Sequence, residues 1–95
     1  MSRRRFEHLM IEISLAVGVR INRYALWLAL HEQGMDPETL AREDALRFCE
    51  EPLWVFLAER GLELAPKPRR RLLREVARFD PSHQTPEELF SALSR

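Results

Sequence analysis

The feature that most constrains this chain is its punctuation: capping and stop signals recur so closely that only short helices fit between them. Asn22 is placed to cap a helix, Ile21 can staple onto Leu26, and Gly34 stops that helix. Its body, Tyr24-Ala25-Leu26-Trp27-Leu28-Ala29-Leu30, is apolar on all sides, which predicts a central or interfacial position. Asp36-Pro37-Glu38 restarts the chain with an N-cap, a proline at the first position and an acid in the first turn, and Met35 and Leu40 can form a second staple. Helix is expected to continue, with a break near Arg42, through Ala45, Leu46 and Cys49. Pro52 interrupts the pattern and can open a further helix, Leu53 to Arg60, which Gly61 ends in a left-handed stop with Leu62 folding back. Residues 62 to 68, with two prolines, read as a stiff extended connection. A fifth helix is expected from Pro68 to about Phe79, with Leu72, Leu73, Val76 and Ala77 inward. Thr85-Pro86-Glu87-Glu88 is a capping box that opens a last helix.

Residues 4 to 17 admit two periods. Phe6, Leu9, Met10, Ile13 and Val17 fall at helical spacing, while Leu9, Ile11, Ile13, Leu15, Val17, Val19 and Ile21 alternate as in a strand. No second convincing strand exists in the chain, and a lone strand leaves its backbone groups unpaired unless another copy supplies a partner. A helix ending near Gly18 is therefore favoured over a strand swapped into an intertwined dimer. The expected fold is all-α: a compact bundle of about five or six short helices forming one domain over residues 1–95.

Net charge is zero, but the charge is segmented. Residues 1–31 carry five Arg against two Glu (+3), and 32–63 carry nine acids against three Arg (−6). Residues 64–79 carry Lys67 and five Arg against Glu75 (+5), and 80–95 net −2. Such blocks bear on partners more directly than the total does. Lys67, Arg70, Arg71, Arg74 and Arg78 recur at helical spacing and share one face. That face could bind phosphate or an acidic protein, pair with the acidic block at 36–51, or simply be solvated. A helix-turn-helix is not a good description of residues 53–79, because the connection is too long and Glu59 and Glu63 would repel phosphate.

Leu53-Trp54-Val55-Phe56-Leu57 places five large apolar residues in a row, and these cannot all face one core on a helix. Trp54 and Phe56 are the expected anchors of a protein interface, with Trp27 a third. Intramolecular covering by the N-terminal helix or the tail is the alternative.

Chemistry has little support. His8, His31 and His83 are scattered, and although His8 and Glu12 lie one helical turn apart, no third metal ligand has matching spacing. There is no glycine-rich phosphate loop and no nucleophile elbow. Glu50-Glu51 and Glu87-Glu88 are adjacent pairs that diverge on a helix. Cys49 stands alone, so no internal disulfide forms, and a buried, inert thiol is expected. Ser2-Arg3-Arg4-Arg5-Phe6 matches the start of a twin-arginine export signal, but Glu7 and His8 come next and Glu12 breaks the apolar stretch. A cytoplasmic location is expected, with no membrane span, metal, cofactor or small-molecule ligand. The leading functional expectation is a non-enzymatic interaction or regulatory module, self-associating as a homodimer or binding a protein. A nucleic-acid-binding regulator using the 67–78 face comes second, and an enzyme without a recognisable motif third.

Overall fold

Helix signals that act within three or four residues of themselves determine the architecture. A computed structural model of the chain describes residues 4–80. It is all-α over that range: α1 (Arg4–Val17), α2 (Arg23–Glu32), a 3-10 turn (Pro37–Thr39), α3 (Arg42–Phe48), α4 (Pro52–Ala58) and α5 (Pro66–Arg78). The helix expected from Thr85 and the residue His83 lie outside the described residues.

The N-terminal segment is helical, and burial shows why the strand alternative fails. A strand would place Leu9, Ile11, Ile13 and Leu15 on one face. Instead Leu9 and Ile13 are buried with Phe6, while Ile11 and Leu15 are exposed. Gly18, at φ +77°, ends the helix. Ser14 then ties the link back: its Oγ donates to the Met10 carbonyl at 2.8 Å and accepts the Ile21 N–H at 3.1 Å. Arg23 makes a two-point ion pair with Glu7, which fastens the start of α2 to the first turn of α1.

Asn22 caps α2 as expected, its Oδ1 accepting the Ala25 N–H at 2.9 Å. Only Leu26 and Leu30 of this helix are buried, so α2 is not central; it lies on the surface with a narrow inward stripe. The two glycine stops have the same construction. Met35 N–H donates to the Leu30 carbonyl and Gly34 N–H to that of His31; Leu62 N–H donates to the Leu57 carbonyl and Gly61 N–H to that of Ala58. Both are Schellman motifs, with a left-handed glycine turning the chain and satisfying helix-end carbonyls. Asp36 caps the 3-10 turn through the Glu38 N–H at 2.9 Å. The expected break falls at Leu40-Ala41, where the backbone is extended before α3 begins.

α4 runs Pro52–Ala58 rather than Leu53 to Arg60, and the start of α5 also differs from the sequence expectation. α5 begins at Pro66 rather than Pro68, so part of the expected extended connection is helical. With Ala65 as N-cap, the prolines occupy the first and third helical positions, where no N–H is needed for an intrahelical bond. The first such bond runs from Arg69 N–H to the Ala65 carbonyl. Ala77, expected inward, is exposed; Leu72 and Val76 are the buried pair and Leu73 is half-buried.

One core collects the stripes. Phe6, Leu9 and Ile13 of α1, Leu26 and Leu30 of α2, Ala45 and Phe48 of α3, Leu53, Phe56 and Leu57 of α4, and Leu72 and Val76 of α5 all belong to it. Phe48 meets Phe56 edge to face, with ring centroids 6.5 Å apart. Cys49 is wholly buried, and burial alone pushes its thiol up to about 12. α1 and α5 run antiparallel: His8 stacks on Phe79 at one end, and Leu15 and Ala16 share a groove with Lys67 and Pro68 at the other.

Two substitutions test this account. Phe48→Ala removes a fully buried ring and is expected to cost about 3–5 kcal/mol in chemical denaturation. Gly61→Ala meets no steric obstacle but must hold a left-handed φ of +70°, so a loss of about 1–2 kcal/mol is expected from backbone strain alone.

Candidate functional site

The cationic residues of α5 are divided by the fold. Lys67, Arg71 and Arg74 line a groove of about 490 Å³ between α5 and α1, whose apolar part comes from Leu15, Ala16, Pro68 and Leu72. Arg70 is exposed on the same helix but outside that lining. Arg78 pairs with Glu75 one turn back at 2.7 Å. Lys67, Arg70, Arg71 and Arg74 make no ion pair among the described residues, so intramolecular pairing with the acidic block at 36–51 does not occur there. Leu15 is 71% exposed at this groove. Sequence reasoning did not single it out; the only signal is an apolar residue at the wrong phase of the α1 stripe.

Helix position adds to the charge. The first turn of α5 carries no acid. Lys67, followed by Arg69, Arg70 and Arg71, crowds the N-terminal end of the helix, which the helix dipole already makes electropositive. Glu12 lies in the same groove, and burial followed by the neighbouring Glu75 raises its carboxyl above the usual range, against the pull of Arg71 and Arg78. His8, one turn away at 3.6 Å, is held below its ordinary value by burial, although Glu75 favours the charged form. Arg5 and Arg78 oppose that charge. For both groups burial is the largest cause.

The apolar residues expected to anchor an interface are largely covered. Phe56 is buried, so it belongs to the core rather than to a free surface, and the Arg60 guanidinium lies 3.8 Å from its ring centroid. Trp54 is half-buried beneath Arg69, whose guanidinium sits 4.0 Å from the ring centroid. Arg69 Nη2 also donates to the Leu64 carbonyl at 3.3 Å, while its Nε is out of water without a hydrogen-bond partner. The indole face is thus the main attraction offered to this cation. Trp27 is half-buried between Tyr24 and His31, in a stack with centroid distances of 6.5 and 5.1 Å. It lines a separate shallow groove with Phe6, Arg23, Tyr24, Pro37 and Glu38. Trp27 and Trp54 therefore do not meet in one surface.

A second charged groove, of about 390 Å³, is assembled from α2, the end of α3 and α4. Its apolar lining includes Ala29, Phe48, Pro52 and Val55, and Glu32, Glu51 and Glu59 stand around it. None of these acids makes an ion pair among the described residues. Glu32 is the last residue of α2 and Glu59 the C-cap of α4, so both add negative charge where helix carbonyls are already unsatisfied. The acidic block of the sequence contains these residues, but their convergence from separate elements cannot be seen there.

Among the described residues, no three His, Cys, Asp or Glu side chains group as metal ligands, and no helix is long and apolar enough to cross a membrane. Comparison with protein families, curated proteins and solved structures finds no match to the chain.

The half-buried groups Glu12 and His8 generate a pH prediction. Glu12 holds its proton to a higher pH in the folded chain than in the unfolded one. Its contribution is thus present below the unfolded value, near 4.5, and is lost as pH rises through the raised folded value. Glu12→Gln should raise the melting temperature at pH 7, and the gain should shrink towards pH 4. His8 acts oppositely: below about 6.5 the unfolded chain takes up its proton first, so stability falls with pH there, and His8→Phe should flatten that slope. The cover on Trp54 is testable by fluorescence. In a Trp27→Phe background, Arg69→Ala should increase iodide quenching of Trp54 while leaving the fold intact by circular dichroism.

Proposed function

We propose that this protein is a non-enzymatic interaction module whose working surface is the groove between α1 and α5, and that this groove takes an acidic, amphipathic segment of a protein. The observation that carries the reading is a set of three ion-pair-free cations, Lys67, Arg71 and Arg74, around an apolar lining that includes the protruding Leu15. A surface cation ordinarily costs little, but Lys67, in the first turn of α5, opposes the helix dipole by about 0.3–1 kcal/mol. An anion seated there offsets that opposition, while an apolar side chain beside it buries Leu15 at about 25 cal/mol per Å². This combination favours protein over nucleic acid. Phosphate recognition uses the cations alone and gains nothing from Leu15.

Relative to the sequence expectation, this reading keeps the interaction module and moves its centre. The surface around Trp54 and Phe56 gives way to the α1–α5 groove, because Phe56 is buried and Arg69 covers Trp54. Nucleic acid remains the second reading, supported by the four cations Lys67, Arg70, Arg71 and Arg74 that lie on one helix without ion pairs.

Fluorescence anisotropy separates the two. A labelled amphipathic peptide with leucines on one face and glutamates on the other is expected to bind. Arg71→Glu with Arg74→Glu should weaken it at least tenfold, and Leu15→Ser should weaken it without changing its salt dependence. Duplex DNA bound through four phosphate contacts would instead show a slope of about −3.6 in log affinity against log salt, unaffected by Leu15→Ser. That second pattern, with no peptide binding, would sink the protein-interaction reading.

A further inference from the structure

We infer that the occupant of the basic groove is a second copy of this chain, docked through its acidic groove. The inference rests on the interaction reading above and adds the identity of the partner. The two grooves are complementary on three counts. First, the two grooves carry opposite charges that stay unpaired within the described residues: Lys67, Arg71 and Arg74 around one, Glu32, Glu51 and Glu59 around the other.

Second, the helix ends match. The basic groove contains the N-terminal turn of α5, with Lys67 adding positive charge to a positive end. The acidic groove contains the C-terminal ends of α2 and α4, with Glu32 and Glu59 adding negative charge to negative ends. Within one copy, each of these side chains opposes the dipole of its own helix. Across the contact, each faces a helix end of the sign that favours it. Third, both grooves have an apolar part with one protruding aliphatic residue, Leu15 at 71% exposure and Val55 at 54%, so each can supply a side chain to the other's lining. The whole chain has no net charge, so no global repulsion opposes the approach of a second copy.

Because the two grooves are different surfaces, the contact is heterologous. Each docked copy leaves one basic and one acidic groove free, so assembly extends as a chain or closes as a ring rather than stopping at a two-fold dimer.

The test uses analytical ultracentrifugation of the full chain with two charge-reversed variants. One carries Arg71→Glu and Arg74→Glu; the other carries Glu32→Arg and Glu59→Arg, which place cations at helix C-termini where they favour folding. Circular dichroism melts establish that each variant folds. In low salt the wild type should grow past dimer mass with concentration, and association should weaken at least tenfold at high salt. Each variant alone should be monomeric. Mixed, they should assemble past dimer mass again, because both grooves of one variant then meet grooves of opposite charge on the other. A chain with all four reversals should regain assembly. Self-docking is overturned by a wild type that stays monomeric in low salt, by variants that associate as the wild type does, or by a mixture that fails to pair. If the wild type is monomeric but the acidic peptide still binds at Arg71 and Arg74, self-docking falls and the interaction module stands. If only duplex DNA binds there, both fall.

Discussion

The antiparallel packing of α1 on α5 joins the two longest helices of the described chain, and the shorter ones depend on it. α3 and α4 are seven residues each, about two turns, and helices that short do not persist in water without tertiary packing. Phe6, Leu9 and Ile13 of α1 and Leu72 and Val76 of α5 share one core with Phe48, Leu53 and Leu57; α3 packs on α5, and α4 on α3. The link between α1 and α2 is equally dependent, since the Ser14 hydroxyl and the Glu7–Arg23 pair both act from α1. Loosening α1 from α5 would therefore disturb the packing of α3 on α5 and the tie of α2 to α1, not only open one groove.

The same packing brings charge of one sign together. α5 is strongly cationic; Arg78 pairs with Glu75, and Arg69 lies on the Trp54 ring and donates to the Leu64 carbonyl. Lys67, Arg71 and Arg74 stand beside a partly apolar cleft without an ion pair among the described residues. Acids from α2 and α4 collect beside a second cleft in the same way. Lys67, Glu32 and Glu59 each stand at the helix end that disfavours their charge, so a fold that needed them only for solubility would do better to exchange them. The arrangement makes sense when the two clefts are complementary to one another across molecules.

Much of the fold is legible in the sequence because its signals are local. Asn22, Gly34, Asp36 and Gly61 act on backbone groups two to five residues away, and each is found in the role its neighbours dictate. The start of α5 is less legible, because proline is compatible with both an extended connection and the first turn of a helix. The apolar run of α2 misleads for a different reason. Local composition counts apolar residues but not how many neighbours exist to cover them, and here only one stripe is covered. The candidate site is legible in part. Lys67, Arg71 and Arg74 follow from spacing on one helix, whereas Leu15 and the set Glu32, Glu51 and Glu59 come together only through tertiary packing.

Cys49 has a use that arises from its position. It is the only thiol in the chain, wholly buried, and held protonated far above neutral pH. While the native packing is intact, a water-borne alkylating reagent has neither access nor a thiolate to attack. Labelling therefore counts openings of the core, one sulfur per molecule. With reagent in modest excess, its rate reports the free energy of those openings in the undenatured protein, and a ligand or partner that braces the bundle slows it in proportion.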